Sequence, residues 1–185
     1  MKIEDLVVEL SKDPFNPVLN FDVAVKYEKQ NQTASAVSFY LRTAEYGYTL
    51  HPSLTYASLL KVAHCFEDQK DRQATVSNCL LQAVAYLPYR PEAYFLLAQF
   101  YERLGQWQEC YTWAEMGLRK DACGSLPVSV GFEGDYVLLF EKAVSAWWIG
   151  RKKESIELFH KLDTMDIDPG YKQAVKNNFE RISQC

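Results

Sequence analysis

The residues with the clearest potential for chemistry are two aspartates near the end of the chain, in Asp166-Ile167-Asp168. Two carboxylates separated by one residue are a pattern that can hold a divalent ion on a nucleotide diphosphate. Such a site also needs a buried sheet and a glycine-rich turn around the phosphates, and the sequence predicts neither. Asp168 precedes Pro169, where a helix can begin, so we expect its carboxylate to cap that helix.

The histidines and cysteines predict no metal site. His51, His64 and His160 share no metal-ligand spacing, and no cysteine is placed to complete a site with them. The number of cysteines is odd and no pair forms C-x-x-C, so we expect reduced thiols in a cytoplasmic protein. Three lie on apolar helix faces, where they are expected to be small core residues: Cys65, Cys79 and Cys110. No cofactor is predicted.

Composition and charge narrow the functional classes. Hydrophobic residues make up 48% of the 185 residues and aromatic residues 14%, which is enough for a substantial core and argues against disorder. The longest basic run, Arg151-Lys152-Lys153, lies on the solvent side of a predicted helix, so no nucleic-acid partner is expected. The acidic first residues do not indicate a signal peptide, and no apolar stretch is long enough to span a membrane.

The strongest structural pattern is a helical hairpin in Pro91–Leu118. Gly105 marks the turn between its two helices, because glycine readily takes the backbone conformation that ends a helix. Small residues on the inner faces are predicted to let the helices approach closely, while aromatic side chains fill the remaining space. The small residues are Ala98, Cys110, Ala114 and Gly117, and the aromatic residues are Tyr94, Tyr101, Trp107 and Trp113.

Similar hairpins are predicted along the rest of the chain, which we interpret as a single domain covering residues 1–185. The four hairpins cover roughly residues 17–47, 52–88, 91–120 and 136–163, and a final helix at 170–183 closes the core. Asn16 before Pro17 is a favourable helix start. Asn31 takes the place of a turn glycine, since asparagine tolerates a left-handed backbone. The longest predicted loop is Ala122–Asp135.

The Pro91–Leu118 hairpin resembles the tetratricopeptide repeat (TPR), whose pattern is W-x-x-L-G-x-x-Y, then A-x-x-x-F, then P. This sequence has Tyr94 for the Trp, Ala98 for the Gly, and Cys110 and Ala114 at the later Ala and Phe. The resemblance implies an all-α TPR-like superhelix, or solenoid, of about four helical hairpins plus N- and C-terminal helices. It also implies a concave groove lined by the first helix of each hairpin, and a non-catalytic binding function.

A longer part of the chain, roughly Asn16–Ile182, resembles a narrower group within that family. Tyr86–Glu102 and Leu138–Ser155 are similar to TPR segments that accompany glycosyltransferases in bacteria and in tailed phages of marine hosts. The shared signature is a long interruption between the third and fourth hairpins, ending in an aromatic-rich helix. The resemblance implies association with glycan synthesis. Two alternatives are a structural, virion-associated assembly protein and the non-catalytic TPR part of a larger glycosyltransferase.

The predicted binding site is the concave groove that the TPR resemblance implies. We expect a protein or peptide there, because the groove positions combine an aromatic floor with charged side chains of both signs, which suits the backbone and side chains of a peptide. The predicted residues are Lys29, His64, Asp68, Phe95, Gln99, Glu102, Arg103 and Trp148. An alternative for Phe95 is a core position between neighbouring repeats, and an alternative for Arg103 is an ion pair with an acidic neighbour.

Overall fold

The structure is a computed structural model that describes residues 2–67, 69, 71–121 and 124–183. Regular secondary structure in these residues is entirely α-helical, which confirms the all-α prediction. The helices are α1 (Ile3–Lys12), α2 (Pro17–Lys29), α3 (Thr33–Gly47), α4 (Pro52–Glu67), α5 (Gln73–Tyr86), α6 (Glu92–Arg103), α7 (Trp107–Gly117), α8 (Asp135–Trp148), α9 (Lys152–Thr164) and α10 (Pro169–Ser183).

The helices belong to two compact units. The N-terminal unit contains the described residues up to Pro88 together with residues 124–130. Its hairpins are α2–α3 and α4–α5, and α1 packs on α2. The C-terminal unit contains residues 89–121 and 131–183. Its hairpins are α6–α7 and α8–α9, and α10 packs on α8 and α9.

Helix α2 has the start and the following turn that the sequence predicts. The Asn16 side-chain oxygen accepts hydrogen bonds from the backbone N–H groups of Val18 and Leu19, at 3.0 and 3.1 Å. Pro17 is in the first turn of the helix. Backbone N–H groups there have no intrahelical acceptor, so the missing N–H of proline costs no hydrogen bond. Asn31, in the turn to α3, has a φ of 57°, in the left-handed region. Both predictions are confirmed.

A buried tyrosine links three helices of the N-terminal unit. The hydroxyl of fully buried Tyr40, on α3, donates a 2.5 Å hydrogen bond to Glu28 Oε2 on α2. Lys61 on α4 donates to the other oxygen, Glu28 Oε1, at 2.9 Å. Because the acceptor is charged and only partly exposed, these bonds help to hold the three helices in register. Tyr40 belongs to a cluster that we call the N-terminal core: Phe21, Ala24, Ala36, Tyr40, Ala57, Val62 and Cys65.

Small side chains allow the close packing of α6, α7 and α8 in the C-terminal unit. Ala98, Cys110 and Ala114 are completely buried, as the hairpin pattern predicts. A Cβ atom at Gly117 would lie 2.9 Å from Leu138 Cδ2 and 3.0 Å from Tyr94 Cβ, so this helical glycine is needed for close approach. The hairpin turns depend on glycine because their backbone is in the left-handed region, which glycine adopts without a steric penalty. Gly105 has a φ of 67° and Gly150 a φ of 85°.

The aspartate motif at 166–168 begins a helix. Asp168 Oδ1 accepts hydrogen bonds from the backbone N–H groups of Gly170 at 2.7 Å and Tyr171 at 3.3 Å. These are donors of the first turn of α10, which would otherwise have no intrahelical partner. The prediction that Asp168 is a helix cap is therefore confirmed. Asp166 is exposed, and Ile167 between the two aspartates packs against the apolar cluster beneath α10.

Loss of this cap gives a first test of the local structure. We expect Asp168→Ala to lower the free energy of unfolding by about 1 kcal/mol, because two backbone donors lose their acceptor. Asp166→Ala is the matched control, since it removes the same group from an exposed neighbouring position. The difference is measured by urea unfolding followed by circular dichroism. Equal losses of stability in both variants would contradict the capping role.

Candidate functional site

The main candidate site is a cleft in the C-terminal unit with a volume of about 530 Å³. This size lies within the range of roughly 300–1,000 Å³ that is typical of ligand pockets. Helices α6 to α10 all contribute to its walls. The apolar lining residues are Trp107, Phe140, Val144, Trp147, Trp148, Phe159 and Ile182, and the polar ones are Glu102, Asn178 and Arg181. We call this site the aromatic cleft.

A pair of stacked tryptophans forms one part of the aromatic cleft. Trp107, the first residue of α7, and Trp148, the last residue of α8, have ring centroids 5.2 Å apart and planes 15° apart. Trp148 is nevertheless 61% exposed, so most of its surface faces solvent. A rigid, exposed aromatic side chain can contribute a large contact area to a partner at a small entropic cost. Lys152 Nζ lies 4.5 Å from the ring centroid of neighbouring Trp147.

The floor of the cleft consists of aromatic side chains fixed by packing. Phe140 and Phe159 meet edge to face, with centroids 6.1 Å apart, and Phe140 makes a similar contact with Tyr171 at 5.3 Å. Phe159 also contacts Phe179 of α10 at 5.7 Å. Because Phe159 is only 1% exposed, this floor is part of the core of the unit. The cleft is therefore largely preformed.

A buried carboxyl group follows the cleft residue Phe140 on α8. Glu141 of α8 is 5% exposed. Its pKa is raised to about 7, chiefly by burial and also by the negative charge of Glu102. A hydrogen bond with the Gln99 side chain and the positive charge of Arg103 act in the opposite direction. Three of the predicted groove residues thus act on one buried carboxyl group that the sequence analysis did not identify.

A second polar network holds α7, α8 and α9 together. Glu154 Oε1 accepts a hydrogen bond from the Tyr111 hydroxyl at 2.8 Å and forms an ion pair with Lys142 Nζ at 2.9 Å. Arg151 donates to the Tyr111 hydroxyl at 2.9 Å, and its guanidinium lies over the Tyr111 ring. These contacts lower the pKa of Glu154, although its partial burial acts the other way. Arg151 in the basic run therefore has an intramolecular partner.

The predicted groove residues have different positions in the structure. Lys29 and His64 are exposed on α2 and α4 of the N-terminal unit, whereas Asp68 lies outside the described residues. Phe95 is 1% exposed within an apolar cluster of the C-terminal unit, which supports its alternative interpretation as a core residue. Glu102 and Trp148 line the aromatic cleft. Gln99 is half-buried and Arg103 is exposed, and both act on Glu141.

Several residues of the cleft were not among the predicted site residues. Trp107 was assigned only to the packing face of its hairpin, although it is also the first residue of α7, directly after the turn. Asn178, Arg181 and Ile182 belong to α10, which was interpreted only as the helix that closes the core. The i, i+4 spacing of Asn178 and Ile182 places both on one face of that helix, so a contribution from α10 could have been anticipated.

In the described part of the chain, no group of three or more histidine, cysteine or acidic side chains could hold a metal ion. Among the helices described, none is long and apolar enough to cross a membrane.

Comparisons with known proteins show what the fold is. No family model matches the sequence, and no curated protein matches it. PilF of Pseudomonas aeruginosa has a TM-score of 0.69 and 10% identity, over 95% of this chain and 72% of that one. TTC0263, a TPR protein of Thermus thermophilus, has a TM-score of 0.55 and 13% identity, over 99% and 89%.

A third similar structure is YrrB, a TPR protein with an unusual peptide-binding site. It has a TM-score of 0.51 and 11% identity, over 95% of this chain and all of that chain. At such low identities the similarity concerns the fold alone. The chain has a TPR-like α–α fold of helical hairpins with a further helix at each end, as the sequence resemblance predicts.

Proposed function

We propose that the chain is a non-catalytic protein-interaction module that binds a peptide segment in the aromatic cleft of its C-terminal unit. The observation that carries this proposal is the stacked pair of Trp107 and Trp148 at the edge of a preformed apolar cleft. Aromatic residues in packed pockets are the residues most often found at binding hot spots. A large apolar side chain of the partner would fill the cleft between the tryptophans and the phenylalanine floor.

The charged groups of the cleft favour a peptide over a purely apolar ligand. Glu102 and Arg181 carry opposite charges and line the same cavity. A peptide offers backbone N–H and C=O groups, which a negative and a positive side chain can bind at the two sides of an apolar anchor. An apolar molecule of the same size would leave these charged groups without new partners while removing water from them.

The sequence resemblance suggests one class of partner. We infer that the peptide belongs to a glycosyltransferase or to its acceptor, in the cytoplasm, since the chain resembles TPR segments that accompany such enzymes. A virion-associated assembly role in a tailed phage is the alternative, as is a place within a larger glycosyltransferase. Both alternatives also need a surface that binds another protein segment.

Trp148→Ala tests the cleft. Random peptides displayed on phage are selected on the immobilised unaltered chain, and the affinities of the enriched peptides are measured by fluorescence polarisation. We expect Trp148→Ala to weaken their binding by about tenfold or more, because the exposed anchor surface is lost. Circular dichroism is expected to show an unchanged helical content, since Trp148 is mostly outside the core.

Tyr89→Ala is the matched control, because Tyr89 is a half-exposed aromatic residue of the same unit outside the cleft. It should bind the enriched peptides as tightly as the unaltered chain. Equal affinity of Trp148→Ala and Tyr89→Ala would contradict the proposal. Co-expressed glycosyltransferases should co-purify with the control variant and not with Trp148→Ala if the inferred partner class is right.

A further inference from the structure

The turn between α3 and α4 presents two large apolar side chains to solvent. Leu50 is 80% exposed and Tyr48 is 62% exposed. Exposed apolar residues that occur singly are common on protein surfaces, whereas several together mark a surface that contacts another molecule. We call Tyr48 and Leu50 the apolar tip of the N-terminal unit.

The conformation of the apolar tip is fixed by its surroundings. The ring of Tyr48 packs on the ring of Tyr86 in α5, with centroids 4.8 Å apart. The Tyr86 hydroxyl donates a hydrogen bond to the backbone oxygen of Tyr48. The backbone N–H of His51 donates to the Gly47 oxygen at 2.8 Å and closes the turn. A partner therefore meets a preformed surface, so that little conformational entropy is lost on binding.

We propose that the apolar tip of one copy of the chain binds in the aromatic cleft of a second copy. The tip is exposed and apolar, and the cleft is a concave site of about 530 Å³ with a mostly apolar lining. In this contact Leu50 fills the space above the phenylalanine floor, and Tyr48 lies against the exposed surface of Trp148. The inference rests on the proposed function, because it identifies a turn of the chain itself as a segment that the cleft binds.

Charge complementarity favours the cleft of a second copy as the partner of the tip. Glu45 and His51 are exposed on either side of the tip in the sequence. Arg181 and Glu102 line the cleft. The tip therefore brings an acidic side chain for Arg181 and a basic one for Glu102, so that neither charge of the cleft loses water without gaining a partner.

This contact joins two different surfaces, so it is heterologous. Each copy in a pair retains one free tip or one free cleft, and further copies can add until a ring closes or a chain of copies grows. One turn in one cleft makes a small interface, and small interfaces belong to weak, transient complexes. We therefore expect a dissociation constant on the order of 100 µM.

Sedimentation velocity of matched variants tests the contact. The unaltered chain is expected to form larger species as its concentration rises to about 1 mM. Leu50→Ser and Trp148→Ala should each stay monomeric over this range, because each lacks one half of the contact. Both replaced side chains are mostly exposed, so circular dichroism should show an unchanged helical content. Leu41→Ser is the control, since Leu41 is an exposed leucine of the same unit outside the tip, and it should associate like the unaltered chain.

A mixture of the two variants is the decisive measurement. Leu50→Ser retains the cleft and Trp148→Ala retains the tip, so equal amounts of the two should form a dimer and nothing larger. A mixture that stays monomeric would overturn the proposal, as would an unaltered chain that is monomeric at about 1 mM. Association that persists in Trp148→Ala alone would overturn it too, because the tip would then bind a surface other than the cleft.

Failure of this inference can be distinguished from failure of the proposed function. If the peptides selected on phage bind in a Trp148-dependent manner while the unaltered chain stays monomeric, the cleft binds peptides and the tip is not one of its ligands. If no peptide binds but the two variants form a dimer with each other, the cleft binds a second copy and the external peptide is the part that is wrong.

Discussion

Ala114→Phe is expected to lower the free energy of unfolding by about 3 kcal/mol or more. Ala114 is fully buried in α7, in a cluster that includes Phe95, Val137 and Leu138. Overpacking of a core costs about 1–3 kcal/mol in most cases, and a phenyl ring is a large addition at a close-approach position. Helix α7 has no room to move away from the added ring. Gly117 on the same helix already lies so close to Leu138 and Tyr94 that even a Cβ atom there would clash with them.

Urea unfolding of matched variants separates packing from helix propensity. Gln108→Phe introduces the same side chain at an exposed position of α7, so we expect a change within about 0.5 kcal/mol. Ala98→Leu and Cys110→Phe, at two other fully buried positions, should destabilise by about 1–3 kcal/mol. If all three buried positions accept the larger side chain with no loss, the inferred close approach of the helices is wrong.

These packing positions could be predicted from sequence because their cause is local and periodic. A small residue that recurs on the inner face of an amphipathic helix identifies where another helix approaches. The same holds for Asn31 and Gly105, whose left-handed φ values follow from their residue types and turn positions. Asn16 and Asp168 each have a proline directly after them, and this neighbour predicts the helix start.

The aromatic cleft was only partly predictable, because helical periodicity indicates the direction in which a side chain points but not how deeply it is buried. Phe95 and Trp148 were both assigned to the groove, yet Phe95 is 1% exposed and Trp148 61% exposed. The difference depends on how far each helix extends past its neighbours. Trp148 is the last residue of α8, whereas Phe95 is in the first turns of α6. Stacking with Trp107 depends on contact between separate hairpins, which no local pattern encodes.

Residues 124–130 lie in a connection without a helix, as predicted, but their packing on the N-terminal core was not predicted. The glycine, proline and serine residues of this segment are typical of a connection, and they obscure the alternation of Leu126, Val128 and Val130. That alternation was the available signal. It could not indicate which surface the segment covers, because Val128 packs on a core built from residues far earlier in the sequence.

Glu141 was missed because an acidic residue in the middle of the apolar helix α8 is easily interpreted as solvated. It lies between Phe140 and Lys142, and only the tertiary structure shows that its side chain is 5% exposed. Its surroundings combine opposing effects on its pKa. Burial and the Glu102 charge raise the pKa, while Gln99 and Arg103 lower it, and the result is about 7.

This raised pKa predicts how the stability of the C-terminal unit changes with pH. The carboxyl group has a pKa of 4.5 when it is unperturbed, and about 7 in the folded chain. Between these values the folded state binds more protons than the unfolded state, so the free energy of unfolding falls as pH rises. The shift corresponds to about 3 kcal/mol in the free energy of unfolding. This stabilisation is present below the unfolded-state pKa of 4.5 and is lost above the folded-state pKa of about 7.

Glu141→Gln is expected to remove this pH dependence. Glutamine has nearly the same shape and stays neutral, so the variant should be more stable than the unaltered chain at about pH 8, by as much as about 3 kcal/mol. At about pH 4.5 the two should differ little, because the unaltered carboxyl group is protonated in the folded state there. Urea unfolding at both pH values measures the difference, with the exposed Glu157→Gln as the control.

The opposite result would identify Arg103 as a direct partner of the ionised carboxylate. If Glu141→Gln is less stable than the unaltered chain at about pH 8, the attraction between Arg103 and Glu141 outweighs the cost of burial. In that case Arg103→Ala should also destabilise the chain at that pH, and Arg103 has a structural role. If Glu141→Gln is instead stabilised, the attraction between Arg103 and Glu141 is too weak to offset the cost of burying the ionised carboxylate.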